Sequence, residues 1–321
     1  MFAVQTYLLH TIPIQFEIAD ALAARRLAAQ WAPFRAEGSV DAPPIHVSLL
    51  VTDAAPGPPE MPAVSVGPDV SYYRDGARLA VLFPGWGRFD VRLDGDEILG
   101  RLGRAAVSTY GVFEDMILCA LAPLLRRRGF YAIHAFAAAM GDRAILILGE
   151  TGAGKTTTGV SLLMRGAQLI ANDTPLLHPA NDDALWLYAY PGLLSAYPDS
   201  IARFPALAHL LEEGERLDNS EKISFAAESI RPDIWANRAQ PAALIFPTIT
   251  PGLHHSHLEA MSAFDALQQL ISQSIEDWDA STIPAQLQTL RKLVDSAPAW
   301  RLHLAPDISR LPDLLLPLLE E

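Results

Sequence analysis

The period of the hydrophobic positions changes several times along this chain. Residues 1 to about 52 alternate in places, as in IHVSLLV, and hold one helical stretch, ADALAARRLAAQWAPF. Residues 54–69, AAPGPPEMPAVSVGPD, are dense in Pro and Gly and read as loop or linker. The runs VSYYRDGARLAVLF and GRFDVRLDGDEILGRL then alternate around RDG and LDGD, the turn chemistry of hairpins. Together these features predict a β-rich module over residues 1–95.

Beyond it the spacing turns helical. In TYGVFEDMILCALAPLLRRRG, Phe113, Ile117, Leu118, Leu121 and Leu125 recur at threes and fours, with Gly129 as the stop. FYAIHAFAAAMGDRAILILG predicts a strand over about 130–139, a tight turn at Met140-Gly141-Asp142 and a strand over 143–148. TTTGVSLLMRG reads as a helix stopped by Gly166, and AQLIAND as the next strand. Helices are expected in PDSIARFPALAHLLEEGE, SAFDALQQLISQSIEDW and PAQLQTLRKLVDSA, and strands in AALIFPTI and AWRLHLAP. Residues 96–321 thus read as one α/β domain behind the β-rich module.

Composition narrows the classes. Half of the 321 residues are hydrophobic, enough for a sizeable core, and the net charge is −13. That charge repels duplex nucleic acid and argues against a general nucleic-acid binder. The compact basic run Arg126-Arg127-Arg128 reads as the C-terminal cap of the helix before it. The one cysteine, Cys119, lies in an apolar run and reads as a small core residue. The N-terminal stretch has no basic n-region, and no run reaches the roughly 18 apolar residues of a spanning helix. A cytoplasmic protein with no membrane partner is expected.

The sharpest chemical signal is GETGAGKTTT. Gly149, Glu150, Thr151, Gly152, Ala153, Gly154, Lys155 and Thr156 fit G-x-x-x-x-G-K-S/T, with a strand expected before and a helix after. Glycines let backbone N–H groups turn inward around a phosphate, and the helix N-terminus adds partial positive charge. Lys155 is expected to reach the β- and γ-phosphates, Thr156 to bind Mg²⁺, and Thr157 to complete the cradle.

The expected hairpin brings a second residue to this loop. Antiparallel pairing about Gly141 sets residue 134 opposite about residue 148, so His134 falls beside the start of the loop. A core histidine bonded to backbone is the bland alternative. Asp173 ends the strand after the phosphate-loop helix, and ligands of open α/β sheets gather at carboxyl ends of strands. A carboxylate there binds Mg²⁺ or takes a proton from an attacking hydroxyl; otherwise it is an ordinary turn residue before Thr174-Pro175.

These residues resemble the catalytic domain of the HPr serine kinase/phosphorylase family, which shares its core with phosphoenolpyruvate carboxykinase. The family's signature is a histidine-bearing strand, a hairpin, a phosphate loop with its helix, and R-G-x-x-L-V/I-A-D-D. Here the stretch is IHAFAAAMGDRAILILGETGAGKTTTGVSLLMRGAQLIAND, and the spacings His134 to Gly149, Gly149 to Lys155 and Lys155 to Asp173 match. The close match covers about residues 130–174, with a looser likeness of element order to the C-terminus.

The resemblance implies a phosphoenolpyruvate-carboxykinase-like phosphate-loop fold. It implies phosphate binding by Lys155, metal binding by Thr156 and Asp173, and proton acceptance from a serine hydroxyl by Asp173 with His134 as partner. The donor expected is ATP with Mg²⁺, with GTP or pyrophosphate open, and self-association is a further expectation. There are departures. Asn172 replaces the first acid of the Asp-Asp pair, and YAYPGLLSAYPDS offers no counterpart to the family's later metal-binding glutamate. The N-terminal third does not resemble the family's regulatory domain. The acceptor expected is therefore a serine or threonine of a peptide or protein other than HPr. A regulatory nucleotide-binding module, an ATPase and a small-molecule kinase are the alternatives.

Weaker signals complete the reading. His254, His255 and His257 cluster in LHHSHLE, which reads as a solvent loop. Lys222 is a candidate to approach the nucleotide, by its place in related proteins, or a solvated lysine. Arg231 and Arg238 are candidate cations for transition-state charge, and PDLLLPLLEE a candidate docking tail.

Overall fold

The computed structural model describes residues 3–36, 42–109, 111–180, 184–216, 221–276 and 278–320. Asp218, Asn219 and Ser220 of the stretch before Lys222 lie outside them. The chain divides into two compact units, one built on Met1–Arg128 with Glu276–Ala280, the other on Gly129–Arg216, Glu221–Ile275 and Ser281–Glu321.

The first unit begins with β1 (Ala3–Leu9) and β2 (Ile12–Ile18), followed by α1 (Ala21–Gln30) and β3 (Ile45–Thr52). Asp20 starts α1 by accepting from the amides of Leu22 and Ala23, a side-chain N-cap. Next come β4 (Ala63–Val66), β5 (Ser71–Asp75), β6 (Arg78–Phe83), β7 (Gly87–Arg92) and β8 (Glu97–Gly103). Helices α2 (Arg104–Ser108) and α3 (Val112–Arg127) close the unit's main run. The strands form one sheet in the order β1-β2-β3-β8-β7-β6-β5-β4. The RDG and LDGD turns do join antiparallel neighbours, β5 to β6 and β7 to β8.

Two expectations shift here. The Pro/Gly-rich stretch contains β4, which pairs with β5 through a bulge. The module also runs past residue 95, because β8 pairs in parallel with β3 along its whole length and so belongs to the same sheet. α3 follows it into the first unit.

The second unit carries β9 (Tyr131–Ala132), β10 (Ala135–Met140), β11 (Arg143–Leu148), α4 (Lys155–Leu163) and β12 (Gln168–Ala171). β13 (Leu176–Pro179), β14 (Leu185–Tyr188), β15 (Leu194–Ala196), α5 (Pro198–Ile201), α6 (Leu210–Glu213) and β16 (Ile223–Phe225) follow. The C-terminal part holds β17 (Arg238–Ile249), β18 (His257–Met261), α7 (Ala263–Ser274), α8 (Ile283–Ser296), β19 (Ala299–Leu304) and α9 (Leu311–Leu315). The helix expected over residues 198–215 is three short pieces, α5, a 3₁₀ turn at Pro205–Leu207, and α6. Pro205 lacks an amide and holds Phe204 in extended backbone, φ −116° and ψ 94°, which breaks the run.

The main sheet runs β12-β10-β11-β17, and β17 continues to β19 and then β18. β17 pairs in parallel with β11 and β19, while β10 is antiparallel to both β11 and β12. Four strands, β12, β11, β17 and β19, therefore point the same way, and β10 starts at the end where they finish. Alternate residues feed two cores. Phe136, Ile145 and Ile147 pack with α4 on one face. Ala135, Ala137, Leu146 and Leu148 pack with residues of α7 and α8 on the other. The unit is an α/β fold with helices on both faces of a mixed sheet. Among the described residues no helix is long and apolar enough to cross a membrane.

Candidate functional site

The hairpin of β10 and β11 closes through Gly141-Asp142, with Met140 opposite Arg143 and Gly141 at φ +59°. Positive φ at the first turn residue suits a two-residue hairpin loop. The register pairs Ala135 with Leu148, which sets His134 level with Gly149, one residue from the expected position. The single strand expected over 130–139 is in fact two. Ile133 donates to Pro175 O and Ala135 to Asp173 O, so the chain changes partner around His134, from β13 to β12.

The phosphate loop has the backbone that its glycines predict. Gly149, Gly152 and Gly154 have φ of +141°, +86° and +101°, a region that side-chain-bearing residues rarely adopt. Gly154 caps α4, so Lys155, Thr156 and Thr157 form that helix's first turn. Further along, a Cβ on Gly159 would stand 2.3 Å from the Phe136 ring, so only glycine lets α4 lie this close to β10.

Lys155 is buried, and its ammonium donates to Gly149 O at 2.5 Å and Glu150 O at 3.3 Å. It also stands 3.1 Å from His134 Nε2. On the ring's other side, His134 Nδ1 lies 3.4 Å from Asp173 Oδ1. An ammonium can only donate, so Nε2 accepts from Lys155 and the neutral ring carries its proton on Nδ1, facing the carboxylate. Burial pushes the His134 pKa below its ordinary value; Asp173 opposes this, and Lys155 and Lys222 add to it. Burial also lowers the Lys155 pKa, partly offset by Asp173.

These groups line a cavity of about 580 Å³. It opens at the carboxyl ends of the like-directed strands, where Asp173, Gly149, Thr250 and Ala305 follow β12, β11, β17 and β19. Cationic Lys155, Arg203 and Lys222 outnumber the carboxylates Glu150 and Asp173 on its wall. In a chain of net charge −13 this is a local basic concavity, which focuses field on an anion.

The sequence-derived residues are thereby sorted. His134, Lys155 and Asp173 meet, and Glu150, Thr151, Gly152, Gly154, Thr156 and Thr157 share their cavity. Lys222 joins them, its ammonium 5.4 Å from the centre of the Tyr197 ring. Arg231 and Arg238 do not. Arg231 is held by Asp233 at 2.8 Å and by the carbonyls of Gly166 and Ala167, and Arg238 covers Trp186 at 4.3 Å. The histidine cluster separates: His254 lines the cavity, whereas His257 lies on β18 and stacks on His303 at 4.7 Å. No buried stripe marks that strand: His257, Glu259 and Ala260 are exposed and Leu258 and Met261 only half-buried. Arg203 went unrecognised in sequence; it follows α5, whose Ser200 Oγ lies 3.3 Å from Thr157 Oγ1. The segment without a metal-binding glutamate contributes Ser195, Tyr197 and Ser200 to the wall. Asn172 donates to Leu193 O at 3.0 Å, an anchoring role rather than a chemical one.

Among the described residues no group of three His, Cys, Asp or Glu side chains gathers to hold a metal. Thr156 and Asp173 both line the cavity, and Mg²⁺, which keeps waters and takes further oxygens from substrate phosphates, would need few protein ligands there.

No family model and no curated protein matches the chain. Among solved structures, that of the Hpr(Ser) kinase/phosphatase from Coxiella burnetii is similar over 59% of this chain and 88% of that one, at 15% identity and a TM-score of 0.31. A likeness at that level assigns no residue and no activity.

Proposed function

We propose that the chain is an ATP- and Mg²⁺-dependent kinase of the HPr-kinase-like type, with a phosphoenolpyruvate-carboxykinase-like core, acting on a serine or threonine hydroxyl of a peptide or protein. The observation that carries this reading is the contact series Lys155–His134–Asp173 at the mouth of a glycine-rich phosphate loop. Backbone amides of Gly152 to Thr156 and the Lys155 ammonium hold the phosphates. His134, neutral with its proton toward Asp173, orients that carboxylate. Asp173 is more than half exposed, so a hydroxyl can reach it and give up its proton as the oxygen attacks the γ-phosphorus, while the bond from that phosphorus to the β–γ bridging oxygen breaks and ADP leaves with its electron pair. Mg²⁺, held by Thr156 and Asp173, supplies charge neutralisation on the phosphate oxygens when bound.

The test uses γ-labelled ATP and Mg²⁺ with an extract of the source cells, the wild type beside Lys155→Ala and Asp173→Asn. Label in one peptide or protein band, lost in both variants, is the expected result. Label only in free phosphate identifies an ATPase, and binding without turnover a nucleotide-regulated module. Either overturns the kinase reading.

A further inference from the structure

We infer that the acceptor binds as an extended peptide segment, a tail or a loop, paired through its main chain with the outer edge of β15. The inference rests on the peptide-kinase reading above and specifies how that acceptor is held.

The ribbon of β15 and β16 supplies the edge. Its register sets Leu194 opposite Phe225, Ser195 opposite Ser224 and Ala196 opposite Ile223. Ser224 turns both main-chain groups away from β15: its amide donates to Glu215 O and its carbonyl accepts from Glu215 N, each at 2.9 Å. Antiparallel pairs alternate between bonded and non-bonded, so Leu194 and Ala196 carry the ladder. The amide and carbonyl of Ser195 therefore point out from the opposite edge. Glu215 covers the outer side of β16, and the outer side of β15 is open at Ser195.

Among the described residues no group meets the Ser195 amide or carbonyl, whereas its hydroxyl lies 3.0 Å from Ser224 Oγ. Tyr197 comes next on the same alternation, still in extended backbone at φ −65° and ψ 147°, and its amide is unmet as well. Ser195 is buried, and buried main-chain groups left unpaired are costly. Ser195, Ala196 and Tyr197 all line the cavity. A phosphate offers acceptors alone and cannot serve a carbonyl. An extended peptide brings an acceptor and a donor together, at ladder spacing.

The edge leads to the carboxylate that takes the proton. Asn172 Nδ2 donates to Leu193 O at 3.0 Å. Leu193 precedes Ser195 by two residues, so Asn172 fills the next place along the same edge. A chain paired with Ser195 lies about 4.8 Å from β15 and meets Asn172 at one end. The neighbour of Asn172 is Asp173, more than half exposed in the same cavity. Main-chain pairing holds a segment whatever its side chains, so residues around the hydroxyl are read weakly. An acceptor in a helix, its amides and carbonyls already paired, does not fit.

The probe is a library of short peptides with a central serine and random flanks. It is compared with N-acetylserine amide and with the same library N-methylated throughout its flanks. With γ-labelled ATP and Mg²⁺, the library should be phosphorylated at least about tenfold faster than either. Ser195→Pro should fall at least about tenfold below Ser195→Ala, because both lose the hydroxyl beside Ser224 and proline alone loses the amide. An edge strand tolerates proline where its amide meets no neighbour, and MgATP affinity by calorimetry reports whether the fold is kept. If it is not, the methylated library makes the same comparison on the wild type. Hydrogen exchange of the wild type with MgADP should show the Ser195 and Tyr197 amides protected when the library is added. Equal rates for the methylated library, equal rates for the two variants, or protection by MgADP alone would overturn the inference. Protection by the library without label in it would sink the kinase and leave the edge standing. Label in the library without protection would do the reverse, and neither label nor protection would end both.

Discussion

Lys155 donates to Nε2 of His134 at 3.1 Å, and that contact decides where the imidazole keeps its proton. The lysine's charge and the ring's burial both oppose a second proton. The lysine of the glycine-rich loop thereby also sets the state of the imidazole that faces the Asp173 carboxylate.

The first prediction concerns pH. The native pKa of His134 lies below the ordinary 6.5 of the unfolded chain, so between these values the unfolded state binds more protons. Its stability contribution is complete above about pH 6.5 and is lost as pH falls through the depressed value. Thermal midpoints of the wild type should therefore fall more steeply below pH 6.5 than those of His134→Gln. Parallel curves would show that the ring is not perturbed.

Two neighbours should move that titration in opposite directions. Lys222→Ala removes a charge that lowers the His134 pKa, and Asp173→Asn removes one that raises it. Imidazole nitrogen chemical shifts, followed against pH, should show the midpoint rise in the first variant and fall in the second. Shifts of the same sign would contradict the arrangement.

Lys155→Ala should weaken nucleotide binding by roughly ten- to a hundredfold, the range of a charge-assisted contact to phosphate. Because burial already lowers its pKa, affinity in the wild type should decline on the alkaline side before the ordinary 10.5 of a lysine. Calorimetry from pH 7 upward checks both statements.

Gly159→Ala should cost about 1–3 kcal/mol in urea denaturation, because its methyl meets the Phe136 ring inside a packed core. Paired with Phe136→Leu the cost should shrink, and a double-mutant cycle measures the coupling. Additive losses would mean that α4 and β10 do not constrain one another.

In the first unit, Asp279 is the residue to remove. Its side chain is 1% exposed and meets Arg127 at 2.8 and 3.0 Å and Arg126 at 3.5 Å. Asp279→Ala strands buried cationic charge and should destabilise by about 3–5 kcal/mol in urea denaturation, with Asp279→Asn less harmful.

The arginine run shows how far sequence reaching stops at local order. Arg127 and Arg128 do bond to the carbonyls of Pro123 and Leu124, as a cap at the helix end predicts. Their acidic partners Asp279 and Asp96 lie far along the chain, where no periodicity points to them. The site divides the same way. The phosphate loop, His134 and Asp173 were legible because one hairpin and one helix connect them within some forty residues. Lys222 was named as a candidate and does line the cavity, whereas Arg203 and the cavity's apolar residues were not singled out, since each reaches the loop from elements distant in sequence. Arg231 and Arg238 carried the right charge in the wrong place, a distinction that tertiary pairing alone makes.

The pairing of β17 also orders events in time. Gln240 must find Arg143, and Ala299 must later find Leu244, before the phosphate loop has its far wall. During synthesis the loop is complete long before the strands that enclose it, and closing such long separations is slow. A nascent chain thus carries the loop glycines from Gly154 as far as β19, which begins at Ala299, without a finished cavity. On the function proposed above, bound nucleotide becomes a certificate of completed folding, and nucleotide added to a refolding chain should act at the last step, by holding the closed state rather than by hastening the hairpin.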